Sequence, residues 1–487
     1  MRIKEWLGEL EYRLQQGNLD TEVDEVVYDS RKARPGAVFI CIKGTKVDSH
    51  AFIPSVLAAG VQVIVTEREV DVPEDVTVIR VGQGREALAR LSAARFGYPA
   101  KKMTMIGVTG TKGKTTTAHM IRAILEAAGE KTGMIGTNGV SIGEEHYPTV
   151  NTTPESYDLH RYFAQMAASG CTHCVMEVSS QAFKMHRVDG ICYDYSIFTN
   201  ISPDHIGPDE HDSFEEYLYY KKRIFHQSRH GLVNCDDEHF DEIIKEIPCE
   251  WDGFGLKDGC RYQAEHIRYV SEPDFVGIEF DMKGATEASV RVNIPGKFNV
   301  YNALAAAAVC IRAGIPAKWA LHALEHLKID GRMEIVYTSE KFCVIVDYAH
   351  NAVSMESLLA TLREYDPGRL VCVFGCGGNR SKDRRYSMGE IAGKMADFSI
   401  ITADNSRFEK VEDIIADIRG SMEKAGGKYI EIPDRREAIE YSMTHAQKGD
   451  MIAIIGKGHE DYQEIEGVRY PFLDRAVVEE TARTMKV

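Results

Sequence analysis

The sequence has no apolar run approaching the 18 or more residues of a membrane span, which excludes a helical crossing. It has no basic excess either. Lys plus Arg number 58 against 74 Asp plus Glu, a formal net charge of −16. A nucleic-acid binder would show a basic surplus or a basic face, so no nucleic-acid partner is expected. Repeats and low-complexity stretches are missing. Residues 1–18 carry charges throughout, with no apolar core and no small-residue cleavage site, so they are expected to form a surface helix and not a secretory leader. Cys171 and Cys174 have C-x-x-C spacing, but no second pair stands at zinc-ribbon distance, and they read as core thiols. The 11 cysteines are an odd count scattered through apolar strands, as expected of a reducing, cytoplasmic compartment. What remains, 44% hydrophobic and 27% charged over 487 residues, is an ordinary globular composition. At about 150 residues each, that length suggests three domains.

Three rhythms follow one another. Strands at 26–28, 38–42, 63–66 and 76–81 alternate with helices at 52–59 and 85–96, and the Tyr98-Pro99 step breaks helical geometry. From residue 103 the order is strand, glycine loop and helix, with strands at 103–109, 174–178 and 196–200 and a helix at 115–128. A break near 329–332 opens a second run, with strands at 342–346, 370–374, 398–402, 429–432 and 451–455. Apolar strands alternating with amphipathic helices imply parallel sheets covered on both faces. The expected fold class is α/β, in three consecutive domains at 1–98, 99–330 and 331–487.

The sharpest local signal is Gly110-Thr111-Lys112-Gly113-Lys114-Thr115-Thr116, which leaves a strand and enters a helix. Glycines let backbone N–H groups converge on phosphate oxygens, and the helix N-terminus adds its positive dipole end. Lys114 would reach the β/γ-phosphates, and the Thr115 hydroxyl would ligate Mg²⁺. Val108 stands where the strict phosphate-loop pattern has its first glycine. A glycine turn ahead of a lysine-bearing helix is the bland alternative, and the strand-loop-helix context favours a nucleotide over it. Glu177 ends the next apolar strand, where parallel sheets bind ligands, and a carboxylate there suits a hard cation. Asp204 and His205 follow a further strand. A lone His205 would be a turn histidine, but its place on this sheet edge points to a metal.

Taken together, residues 110–116, 151–154 (Asn-Thr-Thr-Pro), 176–180 (Met-Glu-Val-Ser-Ser), 186–187 (His-Arg) and 456–463 (Gly-Lys-Gly-His-Glu-Asp-Tyr-Gln) resemble the Mur ligase family. The closer likeness is to its tripeptide synthetases, which add the third residue of the peptidoglycan stem. It runs in order over the chain, including 29–31 (Asp-Ser-Arg) and 39–44. It implies a UDP-binding N-terminal domain, a central phosphate-loop ATPase domain and a C-terminal Rossmann-like domain for the incoming amino acid. It also implies ATP and Mg²⁺ as cofactors, and UDP-MurNAc-L-Ala-D-Glu and a diamino acid as partners. The chemistry implied is amide ligation through an acyl phosphate, by a monomer.

The resemblance assigns Ser30, Thr45, Lys46 and Val47 to the uridine end, and Asn151, Thr152, Thr153, Ser179 and Arg187 to the muramoyl dipeptide. Gly110, Thr111, Lys112, Gly113, Lys114, Thr115, Thr116, Asn302, Arg332 and Asp347 fall to ATP. Thr115, Glu177, His205 and Lys221 fall to the metal, Lys221 as a carbamate. Lys114, Glu177, His205 and Lys221 make the catalytic group. Without the family match Lys221 would read as a solvated helix lysine, and Lys222 is its neighbouring rival. The incoming amino acid falls to Arg385, Asp404, Asn405, Ser406, Arg407, Gly456 and Glu460.

Two readings of that amino acid compete. An arginine at 407 suits meso-diaminopimelate, whose far carboxylate a guanidinium binds in bidentate fashion. The histidine loop at 204–211 is two residues longer than in many relatives, a form shared by enzymes that add L-lysine. Arg407 would touch the group that differs, so diaminopimelate is the expected substrate. Ser406 replaces the usual proline, and residues 348–354 lack the Pro-Asp that commonly follows this histidine. A folylpolyglutamate-type ligase would lack the N-terminal uridine motifs. A non-catalytic precursor-binding protein would have lost Lys114, Glu177 or Lys221.

Overall fold

The computed structural model describes residues 1–44, 47–204, 206–207, 210–273 and 275–485. The chain divides into two compact units, Met1–Tyr262 with Ala305–Trp319, and Gln263–Leu304 with Ala320–Val487.

The first unit opens with α1 (Ile3–Leu7) and a five-stranded sheet of β1 (Tyr12–Gln16), β2 (Glu25–Val27), β3 (Ala37–Ile40), β4 (Val63–Thr66) and β5 (Thr77–Val81), ordered β1-β5-β4-β3-β2. Successive residues point to opposite faces. Val38, Ile40, Val63 and Val65 pack towards α1 and α3 (Gly84–Arg95), while Phe39 and Ile64 pack towards α2 (Ile53–Ala58). The surface helix expected at 1–18 is cut short. Gly8 ends α1 at φ 50°, Ile3, Trp6 and Leu7 are buried, and 12–16 pairs antiparallel with β5 at the sheet edge.

The same unit continues with β6 (Thr104–Thr109), β7 (Thr132–Gly136), β8 (Gly139–Ile142), β9 (Glu145–Tyr147), β10 (His173–Glu177), β11 (Tyr193–Phe198), β12 (Ser228–Asn234) and β13 (Glu250–Gly255), side by side as β13-β12-β11-β6-β10-β7-β8-β9. Its helices are α4 (Lys114–Ala127), α5 (Ser156–Ala168), α6 (Ser180–Lys184), α7 (Phe214–Lys222) and α8 (Phe240–Ile244). From β7 to β13 the sheet is parallel, as its apolar runs predict. At the other edge β7, β8 and β9 are antiparallel, because only two residues join β7 to β8 and so short a link permits only a hairpin. Strands β10, β6 and β11 are neighbours, so three segments leave one sheet edge together.

Helices α9 (Phe298–Arg312) and α10 (Ala317–Glu325) contribute residues to both units. In the second unit, β15 (Phe275–Gly284), following β14 (Tyr262–Glu272), pairs antiparallel with β16 (Ala288–Val292). Beyond them lies a six-stranded sheet of β17 (Glu334–Thr338), β18 (Phe342–Asp347), β19 (Arg369–Phe374), β20 (Phe398–Ile401), β21 (Tyr429–Glu431) and β22 (Asp450–Ile455), ordered β17-β18-β22-β19-β20-β21. It is parallel except for edge strand β17. Helices α11 (Ala352–Arg363), α12 (Lys382–Met395), α13 (Val411–Lys424), α14 (Arg435–Thr444) and α15 (Asp474–Met485) accompany it, with a hairpin of β23 (Tyr462–Ile465) and β24 (Val468–Pro471).

Candidate active site

The phosphate loop leaves β6 and enters α4. Gly110 has φ 144°, and a Cβ there would lie 2.0 Å from Thr199 Oγ1, so only glycine fits. Gly113 caps α4 at φ 85°. Thr199 Oγ1 donates to Lys112 O at 2.7 Å. The Asn200 amide brackets the same residue, accepting Lys112 N–H at 2.9 Å and donating to its carbonyl at 3.0 Å. Thr199 and Asn200 are loop-holding residues that the sequence motifs did not single out.

Two lysines converge beneath this loop. Lys114 Nζ donates to Gly110 O at 2.8 Å and Thr111 O at 3.0 Å. Lys221 Nζ, at the end of α7, donates to the same Gly110 O at 2.7 Å. Lys221 is buried and lies over the Tyr217 ring. Burial lowers the Lys114 ammonium's pKa against the pull of Glu177 and Asp204. Burial, then the neighbouring Lys114 charge, push Lys221 well below an ordinary lysine. Lys222 instead reaches the carbonyls of Glu242 and Lys245 at 2.6 and 2.8 Å, away from the loop.

Glu177 ends β10 with its carboxylate buried. Oε2 accepts from Thr115 Oγ1 at 2.9 Å and Thr137 Oγ1 at 3.2 Å, and Oε1 accepts Thr137 N–H at 2.9 Å. A hydroxyl beside a carboxylate is an all-oxygen donor pair, which fits Mg²⁺. Among the described residues no group of three His, Cys, Asp or Glu side chains converges as a metal cluster. His205 lies outside the described residues, as do Thr45 and Lys46. Thr137, which holds both Glu177 oxygens, was missed because nothing in its sequence surroundings marks it.

The residues expected to grip the dipeptide gather around Glu177. Thr153 Oγ1 donates to Glu177 O at 2.9 Å and accepts Ser179 N–H at 3.1 Å. Thr152 Oγ1 meets Thr137 Oγ1 at 3.1 Å. Arg187 donates to Thr153 O at 3.2 Å and to Glu155 Oε1 at 2.9 Å, and Arg85 takes the other Glu155 oxygen at 3.3 Å. Glu155 therefore ties α3 to Arg187. Asn151 is exposed, as is Val47, while Ser30 opens a short 3₁₀ turn capped by Asp29.

In the second unit Asn302 Nδ2 donates to Asn299 Oδ1 at 2.9 Å. The Asp347 carboxylate accepts the N–H groups of Met333 and Ala349, both at 2.7 Å, and burial raises its pKa. The Arg332 guanidinium lies over the Tyr348 ring, 5.3 Å from its centroid.

The remaining candidates collect where β20 and β22 end. Asp404, Asn405, Ser406 and Arg407 form a turn closed by φ 52° at Arg407. Arg407 Nη1 donates to Gly378 O at 2.7 Å, and its Nε stands 3.6 Å from Glu464. A Cβ on Gly456 would lie 2.6 Å from Asp404 Oδ2. Asn405 Nδ2 donates to Glu460 Oε2 at 2.9 Å. Arg385 shares none of these bonds. Its guanidinium is buried in bonds to Glu409 and Asp417 at 2.8–2.9 Å.

Three family descriptions match the chain: Mur ligase family, catalytic domain, over residues 22–96; Mur ligase middle domain over 108–310; and Mur ligase, glutamate ligase domain, over 331–458. The UDP-N-acetylmuramoyl-L-alanyl-D-glutamate--2,6-diaminopimelate ligase of Caldanaerobacter subterraneus subsp. tengcongensis is 39% identical over 482 residues, 99% of this chain and 98% of the relative. Ligase 1 of that description from Clostridium acetobutylicum is 39% identical over 485 residues, 99% of both chains. A solved structure of a ligase of the same description matches 100% of this chain and 99% of its own at 28% identity, with a TM-score of 0.79. A folylpolyglutamate synthase from Mycobacterium tuberculosis shares the fold at 16% identity, over 81% of this chain and 93% of its own, with a TM-score of 0.57.

Proposed function

The chain belongs to the Mur ligase family, and from that premise we propose that it joins meso-2,6-diaminopimelate to the D-Glu γ-carboxylate of UDP-MurNAc-L-Ala-D-Glu at the expense of ATP. A free carboxylate is a poor electrophile. Transfer of the ATP γ-phosphoryl group to its oxygen breaks the β–γ bond, releases ADP and leaves an acyl phosphate. The amine then attacks the carbonyl carbon, the C–N bond forms, and phosphate leaves with the acyl oxygen as the amine loses its proton. The observation that carries this reading is the pair of lysines on Gly110 O beside the Thr115–Glu177 contact.

In this reading residues 110–116 cradle the phosphates, and Lys114 offsets charge developing on the transferred group. Thr115 and Glu177, with His205, would hold Mg²⁺, which would supply further charge neutralisation when bound. The depressed Lys221 pKa favours the neutral amine that adds CO₂ to form a carbamate. Asn302, Arg332 and Asp347 serve ATP. Ser30, Thr45, Lys46 and Val47 hold the uridine end, and Asn151, Thr152, Thr153, Ser179 and Arg187 the dipeptide. Arg407 binds the far carboxylate of diaminopimelate, Glu460 its far ammonium, and Asp404, Asn405, Ser406 and Gly456 shape the pocket. Arg385 fixes the neighbouring loop through Glu409. The domains at 1–98, 99–330 and 331–487 take UDP, ATP and the amino acid respectively, in a cytoplasmic monomer.

Phosphate release with ATP, Mg²⁺ and UDP-MurNAc-L-Ala-D-Glu, comparing meso-diaminopimelate with L-lysine, tests the proposal. Release with diaminopimelate that collapses in Arg407→Ala is expected. Preference for lysine would overturn the substrate assignment and leave the ligase. Silence with both would overturn the ligase reading.

A further inference from the structure

The pocket assigned above to the amino acid contains a cation with no assigned role. Lys457 is 0% exposed, and among the described residues it and Lys221 are the buried lysines. Its Nζ donates to Glu460 Oε2 at 3.0 Å and to Asn405 Oδ1 at 3.1 Å, and lies 5.2 Å from the Tyr462 ring centroid. Asn405 closes a triangle by donating Nδ2 to that same Glu460 oxygen at 2.9 Å. Glu460 Oε2 thus receives two donors, while Oε1 has no hydrogen-bond partner among the described residues.

The triangle also reaches the other end of the pocket. Asn405 Oδ1 accepts Glu464 N–H at 2.9 Å, and Glu464 O accepts Arg407 N–H at 3.0 Å. Lys457, Asn405, Glu464 and Arg407 therefore form one continuous run of hydrogen bonds. A buried ammonium is expensive to desolvate unless it is fully paired, and an apolar side chain would pack in its place. What lysine supplies and methionine cannot is a fixed direction for two acceptors.

We propose that Lys457 is a positioning residue for the incoming amino acid, pinning Glu460 Oε2 and the Asn405 amide so that Glu460 Oε1 and the Arg407 guanidinium stand at a set separation. That separation works as a ruler for a substrate charged at its far end. The proposal rests on the assignment of Glu460 and Arg407 to the amino acid.

The test is steady-state kinetics of the full-length enzyme and its Lys457→Met variant, varying each of the three substrates in turn. The expected result is a KM for the amino acid raised about tenfold to 100-fold, the loss of a charge-assisted hydrogen bond. KM for ATP and the UDP-dipeptide should hold, and the preference for diaminopimelate over lysine should narrow. In a Glu460→Gln background, adding Lys457→Met should raise KM by less than it does alone, since Lys457 acts in part through that carboxylate. An unchanged amino-acid KM, an equal rise for all three substrates, or multiplying effects in the double variant would overturn the proposal. If Lys457→Met does not fold, Lys457→Gln, whose shorter neutral side chain loses the charge-assisted bond, takes its place, with the amino-acid KM alone expected to rise and an unchanged KM overturning the proposal. A wild-type enzyme inactive with every diamino acid would sink the underlying assignment instead.

Discussion

The phosphate loop and the turn at 404–407 handle charge in opposite ways. Under the loop, Lys114 and Lys221 point at a backbone carbonyl, and among the described residues neither makes an ion pair. Around the turn each cation already faces a carboxylate: Arg407 with Glu464 at 3.6 Å, Lys457 with Glu460 at 3.0 Å, Arg385 with Glu409 at 2.8 Å. A site that receives a polyanion needs positive charge left unspent, which Lys114 supplies, while Lys221, whose charged form burial disfavours, is in the proposed reading kept for the carbamate. A site that discriminates by geometry gains more from charges that hold one another in place. The first arrangement burdens the fold, and the second is part of what holds it together.

Lys221→Met separates the two most sharply. Phosphate release should fall by at least about 10³-fold, roughly 4 kcal/mol of transition-state stabilisation. The thermal midpoint of the substrate-free protein should stay level or rise, because the substitution removes a cation whose charged form burial already disfavours. A variant that melts several degrees lower while retaining turnover would mean that Lys221 is a structural residue, and the contrast would fail.

The converse experiment is Arg435→Met. Arg435 and Asp474 are buried and share two bonds of 2.7 Å, and the same guanidinium reaches Ala403 O and Ile455 O at 3.1 Å each. It ties together the ends of β20 and β22, from which the 404–407 turn and the 456–460 loop depart. Breaking a buried pair leaves an uncompensated charge at a cost of about 3–5 kcal/mol. Hydrogen exchange should speed up for the β20 and β22 amides and remain unchanged in β6 and β10. Uniform acceleration over the whole chain would show that the second unit's stability is not set locally.

These two sites were unequally legible in the sequence. The strand at 63–66 is legible to the residue, the parallel strands of the six-stranded sheet to within one, and β6, β10 and β11 to within three, because buried strands are unbroken apolar runs bounded by glycine or polar residues. The hairpin of β7 and β8, the parallel strands β12 and β13 and the edge strand β1 were not legible. Their pattern is weak, and Tyr12–Gln16 is mostly exposed. The phosphate loop was visible because glycine spacing is local. Thr137, Thr199, Asn200 and Glu155 act through contacts 32 to 88 residues away in sequence, which no local pattern records. Arg385 is assigned to the pocket by the family resemblance alone. Its partners Glu409 and Asp417 come together only through the packing of α12 against α13.

The smallest effect concerns a titratable group that has neither a counter-charge nor a ligand to await. His160, on α5, is 2% exposed, packs edge-on against Phe163, and among the described residues has no hydrogen-bond partner on either ring nitrogen. Burial lowers its pKa from 6.5 to about 4. The folded state therefore takes up the proton later than the unfolded chain as pH falls. The contribution from the neutral ring is complete above pH 6.5 and is lost on going from 6.5 down through 4, about 3 kcal/mol in all at 1.36 kcal/mol per unit. His160→Phe keeps the ring and removes the titration. Denaturant unfolding at pH 7 and pH 4 should show the variant losing about 2–3 kcal/mol less than the wild type over that interval. Parallel losses would mean that the imidazolium finds a partner when it forms. His160 would then be paired on demand like the cations at 404–407, and no longer a bare buried group like Lys221.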